Sequence, residues 1–208
     1  MAHEGLKGER IAVIGNSGSG KSTLARILSE RLNIPHIELD ALNWRPNWKS
    51  LSIDEPARWE RVVSEAIAGD RWITDGNYSA ALPQILPRAT DVIWLDYTRA
   101  VIMTRVLRRS FLRAMTGEEL WPGTGNREDF RRWLRKDHPI RWTWDTYRSR
   151  NERREARFAG SELDHAQKHR FKTPQALNRW LAEISRSGPA APGLGRAAGK
   201  PRSAQGSE

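Results

Sequence analysis

Gly15-Asn16-Ser17-Gly18-Ser19-Gly20-Lys21-Ser22-Thr23 fits the phosphate-binding pattern G-x-x-x-x-G-K-[ST]. Its glycines let the backbone curl with N–H groups turned inward, where they can hold phosphate oxygens. A helix beginning just after the loop aims its positive dipole end at the same oxygens. Lys21 is then placed to bridge the terminal phosphates of a nucleoside triphosphate, and the Ser22 hydroxyl to ligate Mg²⁺. The residues from Gly15 to Thr23 are accordingly read as the triphosphate site.

Four acids could complete such a site: Glu38, Asp40, Asp75 and Asp96. Asp75 closes an apolar run and precedes Gly76-Asn77-Tyr78-Ser79. There it can hold Mg²⁺ directly or through water, or it can be a turn aspartate bonding its own backbone. Asp40 follows Glu38-Leu39. It can bind a phosphoryl acceptor, take its proton as general base, or cap a helix. Glu38 is the weaker candidate. Arg105 and Arg109, four apart on one helix face beside Arg108, can neutralise charge on a transferring phosphoryl group. Asn43-Trp44-Arg45-Pro46-Asn47-Trp48 offers aromatic faces and a guanidinium, suited to an acceptor pocket or to a loop pinned by half-buried rings. His36, His138, His165 and His169 show no metal-ligand spacing except His165 and His169. A strand there would not bring that pair together, so no zinc site is expected.

These residues need elements to hold them, and the chain alternates strand and helix signals. Arg10–Ile14, 35–39, Arg71–Asp75, Asp91–Asp96 and, more polar, Leu163–Phe171 read as strands. Lys21–Leu32, 54–68, Thr98–Met115, Glu128–Arg135, Thr143–Arg157 and Pro174–Ile184 read as helices. Asp54 is a candidate cap for the second and Thr173 for the last. Strands alternating with helices predict an α/β fold with a parallel sheet covered on both faces, and ligands bind such sheets beyond the carboxyl ends of the strands.

Composition narrows the class. The chain has 208 residues and no cysteine, which excludes disulfides and thiolate metal sites. Residues 1–9 read as a polar extension, 10–184 as one domain, and 185–208, rich in Gly, Ala, Pro and Ser, as a disordered tail. No apolar run approaches the roughly 20 residues of a membrane span, so a cytoplasmic protein is expected. The formal net charge is +10. Between Arg99 and Arg157, fifteen Arg and one Lys face eight acids. That excess fits either arginines closing over triphosphate or a nucleic-acid partner. Trp133, Trp142 and Trp144 interleave with basic residues in 127–144, a mixture that can stack single-stranded nucleic acid or pack a small helical insert. Arg148, Arg150, Arg153, Arg154 and Arg157 read mostly as surface charge, with some belonging to a lid.

The phosphate loop, the segments 37–46 (IELDALNWRP) and 72–79 (WITDGNYS), and the apolar strand Asp91–Asp96 together resemble bacterial adenylate kinase-like or DNA topology modulation proteins. The resemblance spans about residues 10–184, and that family is in turn similar to nucleoside monophosphate kinases and shikimate-type kinases. It implies a P-loop NTPase fold with strand order 2-3-1-4-5. It also implies an acceptor-binding segment over about 40–70 and an Arg-rich helical lid over about 110–150. By position, Asp75 matches the adenylate kinase aspartate that orders Mg²⁺, and Arg105 and Arg109 match the arginines at the lid base. The chain departs from adenylate kinases after Gly76, where Asn77-Tyr78-Ser79 replaces Phe-Pro-Arg, and it carries Asp40 as shikimate-type kinases do. The expectation is a kinase using ATP and Mg²⁺ on a small nucleotide or hydroxyl-bearing acceptor. Lys21, Asp40, Arg105 and Arg109 are its catalytic residues, and Ser22 and Asp75 its metal residues. A nucleic-acid-associated NTPase is the alternative.

Overall fold

The computed structural model describes residues 5–129, 133 and 138–187. In chain order the first elements are β1 (Arg10–Gly15), α1 (Lys21–Leu32), β2 (His36–Glu38), α2 (Leu39–Asn43), β3 (Trp44–Arg45), β4 (Lys49–Ser50), α3 (Leu51–Asp54), α4 (Pro56–Ala66) and β5 (Trp72–Asp75). There follow α5 (Leu82–Ile85), β6 (Asp91–Leu95), α6 (Arg99–Thr116), α7 (Pro139–Ala159), β7 (Gln167–Phe171) and α8 (Pro174–Ser187). Five strands form one parallel sheet ordered β2-β5-β1-β6-β7. Counted among the sheet strands alone, this is the expected order 2-3-1-4-5. The addition is an antiparallel hairpin, β3 with β4, inside the segment read as an acceptor loop.

The sheet has two covered faces because its central strands alternate sides. Ile11 and Val13 of β1 join Leu24 and Leu28 of α1, Ile102 and Val106 of α6 and Trp180 of α8 in one core. Ala12 and Ile14 join Trp59 and Val63 of α4, Trp94 and Leu163 in the other. Strands β1, β5 and β6 are buried almost throughout. Register then sets the site's edge: Val13 and Glu38 both pair with Asp75, and Gly15 pairs with Leu95. The carboxyl ends of β1, β2 and β5 thus converge.

Several boundaries differ from the sequence reading. Strand β2 stops at Glu38, and Leu39 begins α2, so Asp40 sits in a helical turn instead of ending a strand. Helix α4 begins at Pro56 with Glu55 as its cap. Asp54 does not cap it; its Oδ2 accepts from the Ser50 amide. Strand β7 is confined to 167–171, preceded by the short 3₁₀ turn Ser161–Leu163. Helix α7 starts earlier than expected, where the His138 imidazole accepts from the Ile140 amide and Pro139 occupies the first turn. Thr173 does cap α8, its hydroxyl accepting from the Ala176 amide. That helix continues to Ser187, past the boundary drawn for the tail. Most of the helix expected over 128–135, and residues 188–208 of the tail, lie outside the described residues.

Candidate functional site

The loop from Gly15 to Thr23 joins β1 to α1 as the motif requires. Gly18 and Gly20 take left-handed backbone, and a Cβ at Gly18 would meet Val106 Cγ2 at 2.5 Å and the Ile102 carbonyl at 3.1 Å. Only glycine lets the loop's apex rest on α6. That contact brings in the two arginines expected there. Arg105 Nη1 donates to the Ser19 carbonyl at 3.0 Å, and Arg109 Nη2 to Ser17 Oγ at 3.1 Å. Burial lowers the Arg109 pKa.

Lys21 lies at the start of α1. Its side chain is buried, and Nζ donates to the Asn16 carbonyl at 3.0 Å. Burial pulls its pKa down to about 8, against the opposing pull of Asp75 and Asp40. Ser22 and Thr23 stay exposed in the cleft. Ser19 Oγ is buried without a hydrogen-bond partner among the described residues.

The structure brings Ser22 and Asp75 together. Ser22 Oγ donates to Asp75 Oδ2 at 2.5 Å, while His36 Nε2 lies 2.7 Å from Asp75 Oδ1. Asp75 is therefore held from two sides, with hard oxygen donors of the kind Mg²⁺ takes. Glu38 stands beside it in register, 3.4 Å from Trp121 Nε1. Its pKa is raised by burial and by the Asp75 charge. Gly76 packs on Leu39, where a Cβ would come within 2.7 Å of the leucine Cβ. This close approach draws the Asn77–Tyr78 segment over α2. Tyr78 Oη donates to Asp40 Oδ1 at 2.6 Å, and its ring packs 4.9 Å from that of Trp59. Burial and the Asp40 charge push the Tyr78 phenol far up, so it remains a donor.

A cleft of about 520 Å³ runs along these groups, lined by the loop, Asp40, Asn77, Tyr97, Arg105, Arg109 and Arg113. Its far end is closed by Ile27 and by Pro174, Leu177, Asn178 and Leu181 around α8. Asp96 is not part of it. That carboxylate accepts from Arg170 Nε and Nη2 and from Asn151 Nδ2.

Reading the sequence missed the contribution of α7. Tyr147, Arg150, Asn151 and Arg154 recur at i, i+3, i+4 and i+7, one helical face. Asn16 Nδ2 donates to Asn151 Oδ1 at 2.8 Å. Arg154 donates to Asn16 Oδ1 at 2.8 Å and to the Gly15 carbonyl at 3.2 Å. Arg150 donates to the Asn77 carbonyl. The spacing was the available signal, obscured by charge that reads as solvated surface. Four arginines of the basic stretch thus turn toward the phosphate loop and its neighbour Asn77, whereas Arg148 stands exposed. Trp44, Trp48 and Trp121 pack on one another with ring centroids 5.7–6.1 Å apart, and Asn126 bridges to Arg45 and Trp48. The two-tryptophan segment is therefore fastened to residues 117–127. His165 and His169 stay apart, bonded to the Leu86 carbonyl and Asp91. No group of three metal-ligating residues forms among the described residues.

A protein-family model described as ABC transporter matches residues 5–59. The chain is 30% identical over 110 residues to a shikimate kinase of Sulfurihydrogenibium sp. (strain YO3AOP1), covering 47% of this chain and 66% of that one. It is 28% identical over 106 residues to an uncharacterized ABC transporter ATP-binding protein of Methanocaldococcus jannaschii, covering 49% of this chain and 18% of that one. The chain thus spans just under two thirds of the first relative and a small part of the second. A solved shikimate kinase from Acinetobacter baumannii, in complex with shikimate, superposes with TM-score 0.52 at 16% identity over 87% of this chain and 94% of that one. The fold is that of the P-loop kinases. No helix among the described residues is long and apolar enough to cross a membrane.

Proposed function

We propose that this chain is an ATP-dependent phosphotransferase acting on a small hydroxyl-bearing molecule. The supporting observation is that one cleft is lined both by the phosphate loop with Arg105 and Arg109 and by Asp40, whose carboxylate Tyr78 fixes. In this reading the loop amides and Lys21 hold the β- and γ-phosphates. The nucleobase lies toward Leu177, Asn178 and Leu181 of α8. Ser22 and Asp75 are the residues that would hold Mg²⁺, which supplies charge neutralisation at the phosphates when bound.

Asp40 Oδ2 takes the proton of the acceptor hydroxyl as its oxygen bonds to the γ-phosphorus. The bond from that phosphorus to the β–γ bridging oxygen breaks, and ADP leaves with the electron pair. Arg105 and Arg109 face the charge that spreads over the transferring group. Most of the rate gain comes from holding donor and acceptor in line. An adenylate kinase-like activity on a nucleotide acceptor is the narrower form suggested by the sequence resemblance. It is less favoured here, because no arginine follows Gly76 where adenylate kinases hold their nucleotide acceptor. The test is incubation with γ-labelled ATP and a metabolite pool, with shikimate and nucleoside monophosphates as defined additions. Label in a small hydroxyl compound supports the reading. Release of free phosphate alone under every condition overturns it.

A further inference from the structure

A second cleft, of about 500 Å³, is lined by Arg154, whose guanidinium also reaches the phosphate loop. It contains neither Asp40 nor any phosphate-loop residue, and it shares only Asn77 with the first. Its wall is a row of guanidiniums on α7, Arg150, Arg153, Arg154 and Arg157, facing Ser79 and Leu82. These positions are i, i+3, i+4 and i+7, so all four arginines project from one stripe, where like charges oppose one another. Glu162 is the single acid in the lining.

Three of the guanidiniums are held in place against that repulsion, while Arg153 is exposed. Arg150 lies over the Trp142 ring at 4.0 Å and donates to the Asn77 carbonyl. Arg154 is buried and anchored on Asn16 and Gly15. Arg157 is held through Nε by Glu162 at 3.0 Å. Burial, and after it the neighbouring arginines, lower the pKa values of Arg150 and Arg154. Arg154 spends its terminal nitrogens on Asn16 and Gly15 and supplies charge to the cleft, which leaves the forks of Arg153 and Arg157 as the donors for an oxyanion.

We propose that this cleft is a second anion site, binding a small multiply charged oxyanion: a phosphate or pyrophosphate group, free or carried as an ester. The proposal does not rest on the kinase reading, although Arg154 also braces the phosphate loop and Asn77 lines both clefts; Arg153 and Arg157, on which the test turns, belong to the second cleft alone.

The experiment is calorimetric titration of inorganic pyrophosphate into the full chain saturated with a non-hydrolysable ATP analogue. The analogue fills the phosphate loop, and its own binding reports on that loop separately. One further pyrophosphate per chain is expected. Arg153→Ala and Arg157→Ala should each weaken it by about fivefold or more, the loss of one charge-assisted contact. Arg148→Ala removes the same charge from the same helix, but that side chain is 92% exposed and outside the cleft. It should leave pyrophosphate affinity within about twofold, since a distant exposed charge acts only through screened water. Repeating the titration with a sugar phosphate separates the sources. Tighter binding of the ester, or of the free anion, identifies which one the cleft takes. No binding beyond the analogue, or equal weakening by Arg148→Ala, overturns the proposal.

Discussion

Arg154 Nη1 and Asn16 Oδ1 meet at 2.8 Å across 138 positions of sequence, and both side chains are buried. The second nitrogen of the same guanidinium reaches the Gly15 carbonyl. The first residues of the phosphate loop are thus braced by a helix from the far end of the domain, and their backbone cannot relax alone. Arg154→Gln should raise the Kd for ATP by roughly tenfold or more, since a charged hydrogen bond to buried acceptors is worth about 1.5–3 kcal/mol. Calorimetry measures the affinity and circular dichroism the retained fold. An unchanged affinity would assign Arg154 to packing alone.

Lys21→Ala should abolish ATP turnover. The buried amine now bonded to the Asn16 carbonyl must turn to the phosphates for charge stabilisation. Because the side chain is buried, a cost in stability is expected too, of about 1–2 kcal/mol. Turnover and thermal melting of the same preparation separate the two effects. Wild-type turnover would remove Lys21 from the site.

Asp75→Asn should raise the Mg²⁺ concentration needed for half-maximal turnover by roughly tenfold, because an amide is the poorer partner for a hard cation or its waters. Nucleotide affinity without Mg²⁺ should change far less. A Mg²⁺ titration of turnover, beside nucleotide binding in chelator, checks both.

Tyr78→Phe removes the donor on Asp40 Oδ1 and keeps the ring against Trp59. Turnover should fall by roughly tenfold, as expected for a loosened catalytic carboxylate, with ATP affinity unchanged. Equal losses in turnover and ATP affinity would mean that Tyr78 supports the loop rather than Asp40.

Acid stability should depend on Asp91 at the opposite edge of the sheet. Burial pushes this carboxyl up, but bonds from His169, Thr90 and the Gly8 and Lys7 amides outweigh it and hold the pKa below its ordinary value. A carboxylate depressed in the folded state stabilises fully above its unfolded pKa, near 4, and loses that contribution as pH falls through the folded value. Melting temperature should therefore drop below about pH 4, and Asp91→Asn should flatten that part of the profile. An unaltered acid limb would assign it to other carboxylates.

Local chemistry made much of this protein legible in its sequence. The motif from Gly15 to Thr23 is contiguous, because backbone amides, lysine and hydroxyl must all meet one phosphate chain. The apolar runs Arg10–Ile14 and Asp91–Asp96 could be read as central strands because both their faces are buried. The pairing of Arg105 with Arg109 needed only the helical period. Tertiary structure decided the rest. Asp40 became a helix residue bonded to Tyr78 because Gly76 lets that segment rest on Leu39, a close approach between distant pieces of chain. Lys21 is buried with its amine turned back onto the Asn16 carbonyl, a contact the motif does not announce. Arg154 left the expected surface because α7 packs where Asn16 can receive it. A charged residue carries the same local signal whether it faces water or a carbonyl, and only the packing of elements distant in sequence chooses between them.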